Sequence, residues 1–299
     1  MAFIVLGNVT VDEAMTTPVW PTPGETVVVG HPRRDLGGKG ANQALVLRHA
    51  GEAVRFVAAI GQDDLAEWIV ETLKLDRFDT AALLRLSMPS DRSLIFVGPD
   101  GENAIASITG CSAAITPEDA VAALRGTAAG DVLVLQGNLS LAATEAACLE
   151  ARRRGALTAF NPSPLQAGFV TLLPLVDLLV VNEGEAVQLA GAQAPRDMLR
   201  HLHRAGAADV VLTLGGRGSM SFGGRGAAEA AAQTVTVLDT TGAGDTYMGV
   251  LAAGLFGRRL PMAMAMKAAS AAAAITVGRR GTWSAFPTVP EIASVFALL

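Results

Sequence analysis

The sequence predicts an α/β fold in which helices cover both faces of a mostly parallel central sheet, and a small β-sheet forms a lid. Short β-branched runs alternate with Ala/Leu-rich stretches of helical length along the 299 residues, a pattern typical of right-handed β-α-β units. Most of these runs are apolar on both faces, as expected of strands covered by helices on each side. A hydrophobic fraction of 51% with only 17% charged residues supports a large core and excludes a disordered chain.

The predicted strands are the apolar, β-branched runs Phe3–Leu6, Val54–Ala59, Asp131–Leu135, Leu157–Phe160, Leu178–Val181, Val210–Leu214 and Thr234–Val237. The predicted helices between them are Ala41–His49, Leu65–Leu73, Pro117–Leu124, Leu141–Arg153, Glu183–Ala190 and Pro195–Arg204. Helix-end signals support several of these boundaries. Thr116 before Pro117 is typical of a capped first turn, and Gly51 and Gly155 stand where helix ends favour a left-handed residue.

Two stretches depart from the alternation and predict the lid. Thr26–Asp35 is extended with alternating polarity, and Ser93–Thr109 contains a turn at Gly98–Gly101 between two β-rich runs. A hairpin without a function is the alternative interpretation. Because no linker or repeat interrupts the chain, we expect one domain over residues 1–299, with the lid formed by about 10–36 and 90–110.

Charge, hydropathy and cysteine content exclude several function classes. The net charge of −5 opposes non-specific binding of nucleic acid or of an anionic membrane surface. No apolar run reaches the ~18 residues of a membrane span, and the N-terminus lacks the basic region of a signal peptide. Two cysteines and four histidines form neither a disulfide framework nor a zinc-ligand spacing. We therefore expect a cytoplasmic location.

The strongest motif is the segment Asp239-Thr240-Thr241-Gly242-Ala243-Gly244-Asp245, which precedes a predicted helix. Gly242 and Gly244 let consecutive backbone N–H groups line one concavity at the positive end of that helix, which suits a phosphoryl group. Asp245 stands beside it and can take the proton of a hydroxyl that attacks the γ-phosphorus. The alternative is an Asp that only stabilises the helix dipole. The chain contains neither a Walker A loop nor a complete dinucleotide fingerprint.

A second glycine-rich segment runs from Gly37 to Ala44, between an extended stretch and a helix. Its glycines allow a ligand to approach the backbone, and Asn42 offers an amide with donors and an acceptor. Asp12, just beyond the first strand, is a carboxylate near the same sheet edge. A plain glycine loop with a turn aspartate is the alternative interpretation.

Two more segments leave the carboxyl ends of predicted strands, where ligands bind in open α/β sheets. Asn182 and Glu185 can hold a hydrated Mg²⁺ through water, or form a capping box at a helix start. Thr213–Gly218 can carry a nucleotide along its backbone, or turn into a hairpin.

Together these segments resemble the ribokinase (PfkB) family of ATP-dependent sugar kinases. The resemblance extends over nearly the whole chain and rests on Gly7–Asp12, Pro23–Thr26, Gly37–Ala44, Asn161–Pro162, Asn182–Glu185, Thr213–Gly218, Asp239–Thr246 and Arg279–Gly281. It implies a three-layer α/β/α sandwich and transfer of the γ-phosphoryl group of ATP to a primary hydroxyl of a small sugar. Ribose is the favoured acceptor. A ketose such as fructose, a deoxy-sugar acid or a nucleoside is the alternative, and a non-catalytic sugar or nucleotide sensor is a further one.

The resemblance also implies site residues. Asp245 is then the catalytic base, and Gly242, Ala243 and Gly244 form the anion hole. Sugar-binding residues are Asp12, Gly38, Lys39, Asn42 and Asn138, and nucleotide-binding residues are Asn182, Thr213, Gly215, Gly218 and Ser270. Glu185 organises Mg²⁺ through water, and K⁺ is bound at Asp239, Thr241, Thr276, Arg279 and Gly281.

Two departures and one assembly expectation complete this picture. Asn138 stands where the family usually has a sugar-binding glutamate, and Ala285, beside Ser284, stands where a serine usually contributes to the cation site. The resemblance further implies a homodimer that pairs through the lid.

Overall fold

The computed structural model describes residues 1–98, 103–191 and 194–299. In chain order its strands are β1 (Phe3–Leu6), β2 (Thr10–Thr16), β3 (Arg33–Gly37), β4 (Val54–Val57), β5 (Ala59–Ile60), β6 (Leu84–Arg85), β7 (Arg92–Val97), β8 (Asn103–Ile108), β9 (Val132–Gln136), β10 (Leu157–Asn161), β11 (Leu178–Asn182), β12 (Asp209–Thr213), β13 (Ser219–Gly223) and β14 (Ala228–Ala230).

The helices are α1 (Lys39–His49), α2 (Asp64–Leu75), α3 (Gly110–Ala113), α4 (Pro117–Ala123), α5 (Leu141–Arg154), α6 (Glu183–Ala190), α7 (Pro195–Arg204), α8 (Ala243–Ala252), α9 (Met262–Val277) and α10 (Val289–Ala297). Short 3-10 turns occur at Thr80–Ala82, Phe169–Leu175, Gly215–Arg217 and Trp283–Ala285, and a π-helical turn at Ala253–Gly257 follows α8. In the described ranges, no helix has both the length and the apolar character that a bilayer span requires.

The large sheet has eight strands in the order β14-β13-β12-β11-β10-β9-β1-β4. Neighbouring strands in the series β4-β1-β9-β10-β11-β12 pair in parallel, and β13 and β14 add an antiparallel hairpin at the other edge. The two faces of β1 show why helices cover both sides: Phe3 and Val5 pack into the core of α1, α8 and α9, whereas Ile4 and Leu6 pack into that of α4 to α7. The predicted three-layer sandwich is confirmed.

A second sheet has four strands in the order β3-β2-β7-β8 and comes from the two segments predicted to form a lid. Val11 and Leu36 are fully buried against the main body, whereas Ile105 and Ile108 of β8 are 57% and 45% exposed. Asp12 of β2 lies directly across from Asp35 of β3. The predicted turn at Gly98–Gly101 falls mostly outside the described residues.

Several predicted boundaries are confirmed because a specific end signal stands there. α6 begins at the predicted residue because Asn182 and Glu185 form a capping box. α7 begins at Pro195, because proline is favoured in the first turn of a helix. The Thr116 cap of α4 is present, and Gly155 ends α5 in the left-handed conformation at φ 73°.

Two strand predictions are wrong. The stretch predicted at Thr234–Val237 has no strand partner and runs as exposed coil, because the sheet ends at β14. Of the stretch predicted at Thr26–Asp35, only the end belongs to a strand, β3. Pro32, just before β3, lacks the N–H that a strand ladder needs. Helices α3, α9 and α10 are not among the helices predicted from the sequence.

Candidate active site

Asp245 lies in the first turn of α8, and its carboxylate is held by the start of α1. Asn42 donates its Nδ2 to Oδ2 at 2.9 Å, and Gln43 donates its Nε2 to Oδ1 at 3.0 Å. The Nζ of Lys39 is 3.7 Å from Oδ1. The Asp245 side chain is 5% exposed. A carboxylate that only capped α8 would not need these donors from another helix, so the helix-dipole alternative does not explain the arrangement.

The turn before α8 places free backbone N–H groups next to this carboxylate. Gly242 is the N-cap of α8 at φ 77°, in the left-handed region that favours glycine. The Ala243 N–H bonds the carbonyl of Thr240 at 3.3 Å, whereas the N–H groups of Gly242 and Gly244 have no partner within the described residues. The first turn of α8 therefore offers donors for an anion.

The glycines of the second motif are required by a close approach of two backbones. A Cβ on Gly38, which has φ 93°, would lie 2.9 Å from the carbonyl oxygen of Asn8, and one on Gly40 would lie 2.6 Å from the Asn8 nitrogen. A Cβ on Gly37 would lie 2.1 Å from the Asp12 Oδ2. These glycines bring the start of α1 against the end of β1 and against Asp12.

Asp12 is a half-buried carboxylate whose partners are Thr10 of its own strand and Thr282 in the loop after α9. Thr10 donates its Oγ1 to Oδ1 at 2.9 Å, and Thr282 donates its Oγ1 to Oδ2 at 3.5 Å. Burial raises the pKa of Asp12; hydrogen bonds from Thr10 and Ser93 oppose this rise, and the neighbouring charge of Asp35 adds to it. Asp12 is a strand residue of β2, so the alternative of a turn aspartate does not apply.

Two predicted sugar-binding amides have buried oxygens without partners. In the described part of the chain, Asn42 Oδ1 and Asn138 Oδ1 accept no hydrogen bond, and the same holds for Gln136 Oε1. Buried acceptors without donors are rare in folded proteins. The unpartnered oxygens of Asn42 and Asn138 indicate a place where a ligand hydroxyl donates.

Asn182 and Glu185 form a reciprocal capping box at the carboxyl end of β11. The Glu185 N–H donates to Asn182 Oδ1 at 2.8 Å, and the Asn182 N–H donates to Glu185 Oε2 at 2.9 Å. The capping alternative is therefore realised. It leaves Glu185 Oε1 available to a water molecule, which fits a Mg²⁺ ion that keeps most of its own waters. Within the described residues, His, Cys, Asp and Glu side chains form no cluster of three or more with metal-site geometry.

The predicted nucleotide-binding residues follow β12 and lie on α9. Thr213 ends β12, and Gly215 and Gly218 adopt φ 57° and 89° in the turn that leads into β13. Ser270 is buried on α9 at 8% exposure. Its sequence neighbours Ala268 and Ala271 line an open cavity of about 450 Å³, whose other lining residues are Gln233, Thr234, Val235, Lys267, Ala274, Ile275, Val295, Leu298 and Leu299.

Asp239 joins the two loops that were predicted to hold K⁺. Its Oδ1 accepts the Thr241 N–H at 2.9 Å, and its Oδ2 accepts the Gly281 N–H at 3.1 Å. Although burial raises the pKa of Asp239, hydrogen bonds from Thr241 and Gly281 outweigh this effect, so the pKa lies below its usual value. Asp239 is thus an ionised carboxylate that contacts both loops, and its negative charge fits a bound cation. Thr276 and Arg279 lie at the end of α9, where the Arg279 N–H bonds the Thr276 carbonyl at 3.0 Å.

The site contains polar residues that the sequence analysis did not name as site residues. Gln43 bonds Asp245, and its Oε1 accepts the Nε2 of Gln136 at 2.8 Å. The Nε2 of Gln43 also lies 3.4 Å from Oδ1 of Asn161, at the end of β10. Gln43 directly follows Asn42 in the glycine-rich motif, and this position was the available signal. Gln136 gave no signal because its partner is distant in sequence.

Comparison with known proteins identifies the family. The model of the pfkB family carbohydrate kinases matches residues 6–289. The chain belongs to this family. It is 30% identical to the ribokinase of Staphylococcus aureus strain COL over 299 residues, a match that covers 98% of both chains. The kinase also resembles the crystal structure of ribokinase from Thermotoga maritima, with a TM-score of 0.90, 26% identity and 99% of both chains covered.

A further relative is the ribokinase of Haemophilus influenzae, which is 29% identical over 293 residues and covers 96% of this kinase and 95% of its own length. Arabidopsis thaliana ribokinase complexed with ribose and ATP has the same fold, with a TM-score of 0.87 at 24% identity over 99% of both chains. The chain is therefore a carbohydrate kinase that uses ATP.

Proposed function

We propose that this kinase transfers the γ-phosphoryl group of ATP to the primary hydroxyl of ribose. The observation that carries the proposal is the Asp245 carboxylate, held by Asn42 and Gln43 beside free N–H groups at the start of α8. The ribokinases among its relatives support ribose as the acceptor.

The residues at the head of α8 account for the transfer step. The ribose hydroxyl gives its proton to the Asp245 carboxylate while its oxygen forms a bond to the γ-phosphorus. The bond from that phosphorus to the bridging oxygen breaks, and ADP leaves with the electron pair. Negative charge develops on the transferring group, and the N–H groups of Gly242 and Gly244 stabilise it. Ala243 contributes the backbone of the same turn.

Lys39 supplies positive charge at the same place. Its Nζ is 3.7 Å from Asp245 and its side chain is 34% exposed, so it faces the open side of the site. The compact ammonium can balance the carboxylate before the transfer and the phosphoryl oxygens during it. Positioning and electrostatics of this kind supply most of the catalysis in phosphoryl transfer.

Sugar recognition falls to the polar groups around the glycine-rich turn. Asp12 and the unpartnered oxygen of Asn42 accept sugar hydroxyls, and Gly38 lets the ring approach the backbone. Asn138 offers both a donor and an acceptor where the family usually has a glutamate. This neutral amide is the reason to keep fructose, a deoxy-sugar acid and a nucleoside as alternative acceptors.

The nucleotide and Mg²⁺ are assigned to the same edge of the sheet, at the carboxyl ends of β11 and β12. ATP lies along Asn182, Thr213, Gly215 and Gly218, and its base occupies the apolar cavity near Ser270. Mg²⁺ neutralises the phosphate oxygens when bound, and Glu185 orients one of its waters.

The proposed K⁺ site lies between the two loops that the Asp239 carboxylate connects. Its ligands are the Asp239 carboxylate and the backbone carbonyls of Thr241, Thr276, Arg279 and Gly281. These loops lead directly into the turn at Gly242. A bound cation therefore supplies charge that orders the anion-binding turn.

The small sheet acts as a lid over the sugar, and two subunits pair through it in the cytoplasm. The lid carries Asp12 on the side of the site and exposes the apolar side chains of Ile105 and Ile108 on β8. Exposed apolar groups on one sheet are typical of an interaction surface.

An acceptor panel tests the proposed function. We expect kcat/KM for ribose, measured as ADP release with ATP, Mg²⁺ and K⁺, to exceed that for deoxyribose, fructose and adenosine by at least about tenfold, because a polar site discriminates strongly against a missing hydroxyl. A higher value for another acceptor overturns ribose but not the kinase assignment. Binding of sugar and ATP without ADP release from any acceptor would instead support the non-catalytic sensor. Asn138→Glu, which restores the usual family charge, is the matched variant.

A further inference from the structure

Two buried glutamines lie behind the Asp245 carboxylate. Gln43 and Gln136 are both fully buried. Gln43 donates its Nε2 to Asp245 Oδ1 at 3.0 Å, and its Oε1 accepts the Nε2 of Gln136 at 2.8 Å. The amides thus form a chain that runs from Asp245 to the end of β9.

The buried amide group of Gln136 is only partly satisfied by hydrogen bonds. Within the described residues its side chain makes one hydrogen bond, to Gln43, and its Oε1 has no partner. The same Oε1 packs against Gly7, where an added Cβ would lie 2.0 Å away. Burying an amide that is only half satisfied is unfavourable. The bond to Gln43 is therefore the feature of Gln136 that requires explanation.

That bond determines which end of the Gln43 amide faces the carboxylate. An ionised carboxylate only accepts hydrogen bonds, so Gln43 must present its NH₂ group to Asp245. Gln136 presents its own NH₂ group to the carbonyl end of Gln43 and holds that end away from Asp245. The Oδ1 of Asn161, at 3.4 Å, is a second acceptor for the same NH₂ group. Without Gln136, Gln43 is free to turn toward Asn161.

We propose that Gln136 is a positioning residue for phosphoryl transfer that acts on Asp245 through Gln43. This inference rests on the proposed role of Asp245 as the base. Neither Gln136 nor Gln43 needs to exchange a proton; each orients the next group in the chain. A base displaced by a fraction of an ångström from the attacking hydroxyl lowers the rate of the transfer while leaving substrate binding intact.

A double-mutant cycle with Gln43→Leu, Gln136→Leu and the double variant tests the proposal. With ribose and ATP, we expect Gln136→Leu to lower kcat about tenfold and to leave both KM values within about twofold, because only the placement of the base changes. In the Gln43→Leu background, Gln136→Leu should have no additional effect on kcat, since its only route to Asp245 is gone.

Two further variants keep the test decisive. Gln136→Met preserves the length of the side chain without its donor, and it replaces the leucine variant if that protein does not fold, as judged by its thermal unfolding. Gln62→Leu, at an exposed glutamine outside this chain of amides, is the control and should retain wild-type kcat.

The outcomes separate this inference from the proposed function. Multiplicative loss of kcat in the double variant, or an increased KM with unchanged kcat, would show that Gln136 acts elsewhere. Normal turnover of Gln136→Leu and Gln136→Met while Asp245→Asn is inactive overturns the positioning role alone. Normal turnover of Asp245→Asn overturns the base and the positioning role together.

Discussion

Gly242→Ala tests the anion-binding turn through its geometry. Gly242 has φ 77°, where an L-residue costs ~1–2 kcal/mol. An added Cβ would lie 2.7 and 2.9 Å from two ring carbons of Phe286, which is 3% exposed and cannot swing into solvent. Overpacking of this kind costs ~1–3 kcal/mol. These two costs together should decrease the free energy of unfolding by about 2–5 kcal/mol. A turn that moves to relieve the strain would lose less stability.

Movement of the turn displaces the N–H groups that face the phosphoryl group. Loss of one such donor typically lowers kcat by ~10²–10³. We therefore expect a kcat about a hundredfold below wild type in a coupled assay of ADP release, together with the stability loss in urea unfolding. Gly224→Ala, at an exposed glycine with no atom closer than 3.9 Å to the added Cβ, is the matched control.

Phe286→Leu separates the two contributions, because leucine lacks the ring atoms that the new Cβ would contact. On its own this substitution leaves a cavity and destabilises the protein. In the Gly242→Ala background it should stabilise the protein, leaving only the cost of the backbone conformation. Equal destabilisation by Phe286→Leu in both backgrounds would refute the proposed clash.

Three more predictions follow from the charged groups of the site. Asp12→Asn should raise the KM for ribose by ~10–100-fold, the effect of a lost charged hydrogen bond, yet raise the melting temperature at pH 7. The reason is that burial and the charge of Asp35 raise the pKa of Asp12. The Asp12 carboxyl group therefore contributes less to the stability of the fold as pH rises through this raised pKa. An unchanged KM for ribose would exclude Asp12 from sugar binding. Glu291 bonds Arg279, which lowers its pKa from 4.5 to about 2. Because the Arg279 and Glu291 side chains are 35% and 34% exposed and solvent screens the pair, Glu291→Gln should cost less than ~1 kcal/mol at pH 7. This difference should disappear as pH falls from 4.5 toward 2. A difference that persists at pH 2 in urea unfolding would contradict this. Asp239→Asn should abolish any activation by K⁺ over Na⁺ in the same turnover assay, and activation retained in this variant would place the cation elsewhere.

The ends of several helices and the buried strands could be predicted from the sequence. The start of the helix over Glu183–Ala190 could be predicted because Asn182 and Glu185 stand at the spacing of a capping box, and in the structure they bond each other. The proposed anion-binding turn could be predicted because its glycines and Asp245 lie within a few residues of one another. In contrast, the pattern at Thr234–Val237 resembled a strand, yet strand formation requires a neighbouring strand, and the sheet ends before that segment.

Contacts between distant segments were not readable without the resemblance. Asn42 and Asp245 are 203 residues apart, and Gln43 and Gln136 are 93 residues apart. Neither spacing has a local period, so only the packing of α1 against α8 and against β9 brings these side chains together. The proposed role of Gln136 therefore rests on contacts that only the structure shows.

Turnover of Asp245→Asn is the most direct test of the base. Asparagine keeps the size of the side chain but cannot take the proton of the sugar hydroxyl. Since general-base catalysis contributes ~10²–10⁴, we expect kcat to fall by at least about a hundredfold, with the dissociation constants for ribose and ATP unchanged in calorimetric titrations. A kcat within about tenfold of wild type would contradict the role of Asp245 as base.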